Sequence, residues 1–445
     1  MATKREVIRR AGFLSCYFTD FLLSFAAEKA DGRSTRGRIW KNPIPLFKAA
    51  LLCIAAGCQG PTQAEELMQD MPSWVRKMVG IRRWIPDTTL RTFLCKANPV
   101  ELCKLVCIVG YDAWERAAIR KVSDLPFHVI SLDGKYPSVS DVGESDNHKK
   151  SKWLMVCRDK ETNEATHGLV RTVTATLVTA IGRPIIGATP ILGSTNEKGS
   201  FKKALGDLVR FYGRRFKMLM YDAGATCLPN ADAVIAAGKH YFFQVADPRW
   251  VMHQTIELLF KDKVPALRKA EVLSENGRKI VVRWLTTLSI SERDNDSIFW
   301  KHTRSVFKIY SETYVKGVLT GAKTRYFICS MPLATLIPEK WMALIVLRWG
   351  VETCHQILDM SGAFEEDKHP WIHADANGTL VVQILRRIVY TLLTLYRSVT
   401  LRNEAEATAS WRRHLEWFKE TLKSERRECF EDLRTRQCKV PPALI

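Results

Sequence analysis

Three carboxylates stand where a metal-dependent phosphoryl-transfer site would need them. Asp133 closes the apolar run His128-Val-Ile-Ser-Leu, Asp222 closes a second run, Lys217–Tyr221, and Glu352 lies in a helical stretch far downstream. Cutting a phosphodiester without a covalent enzyme intermediate calls for two hard cations about 3.5–4 Å apart, one activating the attacking oxygen and one stabilising the leaving oxygen. Magnesium prefers oxygen ligands, so carboxylates are the residue type required. Acids at the ends of neighbouring core strands, completed by one from a packed helix, form such a cage on rigid elements. Each acid also has a plainer reading taken singly. Asp133 and Asp222 both precede a glycine within two residues, as Asx-turn or helix-cap aspartates do, and a glutamate on a helix is usually solvated or salt-bridged.

Other chemistries find little support. No Gly-x-Ser-x-Gly elbow and no Walker-type phosphate loop occurs. The twelve cysteines include no Cys-x-x-Cys pair, and Cys103 and Cys107 sit one helical turn apart without a histidine at finger-like spacing, which argues against zinc. Scattered cysteines in a large chain suit a reducing compartment, so a cytoplasmic protein is expected. His355 and His369 lie near Glu352, but a lone histidine there reads as a helix-surface or capping residue. Trp349 reads as core packing because Ile345 and Val346 precede it at helical spacing.

The elements that must position these acids follow from periodicity. From Leu46 to about Ala117 apolar residues recur at helical spacing, with Asp87 as a candidate N-cap and with Arg76, Lys77, Arg82 and Arg83 facing either phosphate or solvent. Strand patterns then run up to Asp133, over Trp153–Cys157, Thr172–Val178, Pro184–Ile191 and Lys217–Tyr221, and over Tyr241–Val245, with helices at Phe201–Tyr212 and Ala231–Ala237. Alternation in Lys279–Leu285 and Val306–Tyr310 marks a strand-rich insertion, and helical spacing resumes at Pro338 and persists through Arg402. The expected domains are a helical N-terminal DNA-binding or accessory domain (1–120), an α/β core (121–249 and 328–402), the insertion (250–327) and a charged helical tail (403–445). Strands interrupted by helices imply a mixed sheet flanked by helices.

The balance of 67 Lys+Arg against 47 Asp+Glu, net +20, favours a polyanionic partner. Near the N-terminus an apolar run from Ala11 to Ala27 follows Lys4, Arg5, Arg9 and Arg10, but Asp20 interrupts it, which favours an amphipathic helix over a signal peptide or membrane span. No membrane partner is expected.

Three blocks of sequence carry a resemblance. Leu132-Asp133-Gly134-Lys135, Met220-Tyr221-Asp222-Ala223 with Ile235, Tyr241 and Phe243 after it, and Arg348-Trp349-Gly350-Val351-Glu352 resemble the motifs of the DDE transposases of bacterial insertion sequences. The branch is the one with a β-strand insertion between the second Asp and the Glu. Leu358-Asp359 and Phe364-Glu365-Glu366-Asp367 resemble further blocks of some members, and Ala49–Ala56 and Trp84 to Leu102 resemble the helical domain that precedes the core in one subgroup. Many relatives carry a Tyr three residues before the Arg and a Lys seven after the Glu, where this chain has Ile345 and Asp359. The resemblance implies an RNase H-like fold and two Mg²⁺ or Mn²⁺ ions held by Asp133, Asp222 and Glu352. It also implies DNA phosphate contacts from Arg348 and Lys135, binding of terminal inverted repeats, 3′-strand hydrolysis, and strand transfer into target DNA by a homodimer. The competing expectation is a domesticated DNA-binding protein or repressor in which catalysis has been lost.

Overall fold

A computed structural model describes residues 4–17, 27–34, 42–122, 124–139, 151–273, 278–291, 299–360, 362–401 and 404–425. Besides a single helical turn at Ala27–Ala30, the described helices before the first strand are α1 (Lys4–Tyr17), α2 (Ile44–Ala55), α3 (Pro61–Asp70), α4 (Ser73–Met78), α5 (Asp87–Lys96) and α6 (Pro99–Glu115). Then come β1 (Val129–Lys135), β2 (Ser138–Val139), β3 (Met155–Arg158), β4 (Ala165–Leu169), β5 (Arg171–Leu177), β6 (Ile185–Ile191), α7 (Glu197–Tyr212) and β7 (Met218–Tyr221). They are followed by α8 (Leu228–Ala236), β8 (His240–Val245), α9 (Val251–Leu259), β9 (Leu267–Val272), β10 (Lys279–Ser289), β11 (Ser305–Val315) and β12 (Val318–Cys329). The last helices are α10 (Pro338–Leu347), α11 (Gly350–Asp359), α12 (Ala376–Leu395) and α13 (Trp411–Leu422). The chain divides into two compact units, one of Met1–Arg120, Gly134–Tyr212 and Val351–Ile445, the other of Lys121–Asp133 and Gly213–Gly350.

The first unit is built around α12. Nearly every residue of this helix is buried, and it packs against α2, α5, α6 and β6. Among the described residues it is the one helix long and apolar enough to cross a membrane, and it is buried inside the protein. β5 and β6 pair antiparallel with all fourteen residues buried, which is why both read as unbroken apolar or threonine runs rather than alternating ones. α7 lays Phe201, Ala204, Leu205, Leu208 and Tyr212 on this hairpin. The Tyr212 hydroxyl lies 2.6 Å from the Ile186 carbonyl and 3.0 Å from that of Cys107, tying α7 to β6 and α6. β2, β4 and β3 form a small separate antiparallel sheet.

In the second unit seven strands run in the order β1-β7-β8-β12-β11-β10-β9. β1, β7 and β8 are parallel, and β12 joins β8 antiparallel. The strands of segment 250–327 therefore continue the sheet outward rather than standing apart from it. α8 packs on β8, and Trp341 of α10 covers Phe242 and Phe307 at centroid distances of 6.3 and 4.7 Å. A mixed sheet flanked by helices, with a helical N-terminal stretch and a strand-rich stretch before the third acid, is the fold class expected from the sequence.

Several local expectations need correction. α7 starts four residues before Phe201, at Glu197, because the Asn196 side chain accepts the Gly199 amide at 3.1 Å and caps it. Asp87 is the first residue of α5 rather than its cap, and its own amide donates to Glu65 at 2.7 Å. Arg76 donates to the carbonyls of Met68 and Met71, so it closes the C-terminus of α3 instead of facing phosphate. Helical structure does not persist unbroken from Pro338: it stops at Arg348 and Trp349, whose amides bond three residues back, to Ile345 and Val346, before α11 begins at Gly350. The N-terminal helix is present over Lys4–Tyr17; residues 18–26 of that apolar run, Asp20 among them, lie outside the described residues, as does the tail beyond 425. None of the described cysteines forms a disulfide.

Candidate active site

β1 and β7 pair in parallel register, with Ser131 opposite Met220. Continuing that register by two residues sets Asp133 opposite Asp222, and because side chains alternate along a strand both acids fall on the face of Ser131 and Met220. α10 covers this same face: Met220 is level with Phe242, Phe242 stacks on Trp341, and the Ser131 hydroxyl donates to the Arg348 carbonyl at the end of α10. Three of the five expected site residues, Asp133, Asp222 and Arg348, are thereby brought together in one unit. They meet on the C-terminal side of the β1–β7 pairing, the side of a parallel sheet on which open α/β folds bind ligands.

Local structure holds Asp222 in place. Its Oδ1 accepts the Gly224 amide at 2.8 Å, its carbonyl accepts the Thr226 hydroxyl at 2.8 Å, and Asn230 bonds the Ala225 carbonyl at 2.8 Å. The turn-cap reading of this aspartate is therefore realised, but one amide uses only part of a carboxylate's accepting capacity. Burial raises the Asp222 pKa, the negative charge of Asp133 raises it further, and the Gly224 amide and the Arg348 guanidinium act in the opposite direction. Two like charges held together at a cost in folding energy are what a divalent cation would relieve, and hard carboxylate oxygens are the ligands Mg²⁺ and Mn²⁺ take. The acid pair fits such an ion. Among the described residues, however, no group of three His, Cys, Asp or Glu is gathered closely enough to hold one.

Arg348 is buried, 4% exposed, and its guanidinium lies 5.7 Å from the Trp349 ring. Trp349 is half-buried rather than a core residue, and Arg325 of β12 stacks on it at 4.7 Å. Because the helix breaks at Arg348 and Trp349, Arg348 and Glu352 do not lie one turn apart on a single helix.

Glu352, Lys135 and the acids after Glu352 belong to the first unit. Glu352 sits half-buried in the first turn of α11. Lys135 is buried, and its ammonium is bonded to Asp359, with Asp367 at 3.7 Å and Glu366 at 4.0 Å. Burial raises the Asp359 pKa and Lys135 pulls it back down. A Cβ at Gly134 would lie 1.8 Å from a Glu197 carboxylate oxygen, so any larger residue there would displace that side chain. Lys135→Met is expected to destabilise the protein by about 2 kcal/mol, measured by chemical denaturation. A direct phosphate contact would instead leave stability unchanged and weaken DNA binding.

His369 lies outside any helix, in the turns between α11 and α12, where it pairs with Glu365 at 3.2 Å, and His355 is buried within α11. The sequence reading passed over Arg386 and Arg387, which are buried in the apolar helix α12. The signal was present, because two adjacent arginines inside an otherwise apolar run need internal partners.

No family model matches the chain, and no curated protein matches it. Among solved structures it is similar to a piggyBac transposase in a synaptic complex with hairpin DNA, with a TM-score of 0.44 and 12% identity, over 96% of this chain and 85% of that one.

Proposed function

We propose that this chain is a DNA transposase of the acidic-triad kind, which cuts the phosphodiester at the ends of a mobile element and joins the freed 3′ ends to target DNA. One observation carries the reading: Asp133 and Asp222 stand just past the last paired residues of the parallel strands β1 and β7, share a face, and sit close enough for one charge to raise the pKa of the other. The motifs around Asp133, Asp222 and Glu352, the buried Arg348 and the net charge of +20 support it.

In this reading Asp133 and Asp222 are the strand-borne metal ligands, and Glu352 is the third, assigned from its Arg-Trp-Gly-Val-Glu motif. Two Mg²⁺ or Mn²⁺ ions, when bound, would supply Lewis-acid activation of the attacking and leaving oxygens. Asp222 is fixed for that role by the Gly224 amide, so little reorganisation is needed at the moment of reaction. Arg348 adds a buried positive charge beside the acids, suited to a phosphate's developing charge. In the first step water attacks phosphorus and the 3′ oxygen leaves. In the second that 3′ hydroxyl attacks a phosphodiester of the target, so one bond is made for each bond broken and no external energy source is required. The partners are transposon-end and target DNA, and a homodimer would hold two ends together.

The test is incubation of DNA bearing the element's ends with Mg²⁺ or Mn²⁺. Release of 3′-hydroxyl ends and their joining to a plasmid by wild type, and neither by Asp133→Asn or Glu352→Ala, is the expected result. Wild type that binds the ends without cutting them would reduce the chain to a DNA-binding remnant.

A further inference from the structure

The two faces of the β9–β12 extension differ in charge. Residues directly opposite in an antiparallel sheet point to the same side, so the register sorts every side chain. Lys269, Arg283, Ser311 and Lys323 form one row across four strands, and Leu267, Leu285, Ile309 and Arg325 form the next row inward on the same side. Lys279 shares this side, two residues before Val281 on β10. The acid it carries is Glu271, bonded to Arg283 at 2.5 Å. The opposite side holds Arg268, Trp284 and Tyr310 packed together, with Glu312 accepting from the hydroxyls of Tyr310 and Tyr314 at 2.8 and 2.6 Å. The first face thus carries Lys269, Lys279, Arg283, Lys323 and Arg325 against one acid, and the other is mainly aromatic, with Arg268 and Lys308 as its cations.

The basic face is also the face of the acid pair. Arg325, Phe327 and Cys329 alternate along β12; Cys329 lies opposite Phe242, Phe242 is level with Met220, and Met220 is level with Ser131. Two residues past Met220 and Ser131 stand Asp222 and Asp133. α10 covers the apolar middle through Trp341 and ends where Arg325 stacks on Trp349 at 4.7 Å. Beyond that point Lys269 and Lys323 are exposed.

We propose that this face of the β9–β12 extension seats the phosphate backbone of duplex DNA leading to the bond cut at Asp133 and Asp222, an inference that rests on the transposase reading above. The row from β12 to β9 crosses three strand spacings, roughly 14 Å, which matches about four base steps of duplex at ~3.4 Å each. Duplex rather than single strand is favoured because a single strand is gripped by aromatic rings on which bases stack. Here Trp284 and Tyr310 lie on the other face, and Trp349 is occupied by Arg325.

The experiment measures affinity for a fluorescein-labelled duplex of arbitrary sequence, three helical turns long, as a function of salt. Wild type, Lys269→Ala/Lys323→Ala and the opposite-face control Arg268→Ala are compared, with metal-dependent nicking of plasmid followed on the same preparations. Each lost phosphate contact removes about 0.9 from the slope of log K against log salt, so the double variant should lose about 1.8 and bind roughly fiftyfold more weakly at ~0.1 M salt. Arg268→Ala should behave as wild type. Coincident slopes for wild type and the double variant overturn the surface, and wild type that still nicks then leaves the catalytic reading standing. A fallen slope in a protein whose wild type never nicks does the reverse, keeping the surface and removing the catalytic reading.

Discussion

Asp222→Asn is expected to lower metal-dependent strand cutting by about a thousandfold or more, some 4 kcal/mol of barrier, while making the metal-free protein harder to melt. The two effects share one cause. Burial and the neighbouring Asp133 raise the pKa of Asp222, so ionising this carboxylate in the folded state costs more than it does in the unfolded chain. For a group whose folded pKa is raised, the associated stability is fully present below the unfolded carboxylate value of about 3.9 and is lost as pH rises through the folded value. At neutral pH the wild type has therefore lost it, whereas the amide, which carries no charge, has nothing to lose. The amide oxygen can still accept the Gly224 amide that holds the turn, so the substitution removes charge without removing the cap. Thermal melts at pH 7 without metal should place the variant a few degrees above wild type, and the gap should close as pH falls into the carboxylate range. Adding Mg²⁺ should raise the melting temperature of wild type and leave that of the variant nearly unchanged. A variant that cuts at the wild-type rate would remove Asp222 from the catalytic set. One that melts lower at neutral pH would show that the turn, and not the charge, governs this position.

That Asp133 and Asp222 share a face follows from two apolar strand patterns and the register of parallel neighbours; β5 and β6 were legible because a strand buried on both faces reads as a continuous run. The break at Arg348 and Trp349 was not. Apolar residues continue at helical spacing through Ile345, Val346 and Val351, and the feature that separates the two helices is a pair of three-residue amide bonds that periodicity does not register. Lys135 shows the same limit over a longer range. Its partners Asp359, Glu366 and Asp367 lie more than two hundred residues downstream, and nothing local to Leu-Asp-Gly-Lys signals them. The basic row of Lys269, Arg283 and Lys323 was hidden for a similar reason, since four strands had to be paired before these residues could be seen to share a side.

Arg387→Met is expected to cost about 3–5 kcal/mol of stability, more than any surface substitution in the chain. Arg387 is fully buried. Its guanidinium donates to the Thr172 hydroxyl at 2.9 Å, the Thr174 hydroxyl at 3.1 Å, the Gln383 carbonyl at 2.8 Å and Glu366 Oε1 at 3.3 Å. These bonds explain why β5 carries threonines in a strand with no solvent-facing side, and they tie α12 to it. Glu366 is itself 1% exposed, and its second oxygen has Lys135 at 4.0 Å. Beside it Arg386, pushed down to about 10 by burial, donates to the carbonyls of Glu366 and His369. Methionine fills most of the volume but strands two hydroxyls and leaves a buried carboxylate without its main partner, and that uncompensated charge, more than the lost bonds, sets the size of the effect. If so, adding Glu366→Gln to Arg387→Met should recover part of the loss, whereas Glu366→Gln alone should be destabilising. Urea denaturation of the three variants in a double-mutant cycle measures this. A cost below about 1 kcal/mol for Arg387→Met, or additive effects in the double variant, would mean that the arginine and the glutamate do not act as a pair. Because the cluster reaches Lys135, two residues past Asp133 on the same strand, cutting activity in Arg387→Met should fall further than the loss of folded protein accounts for.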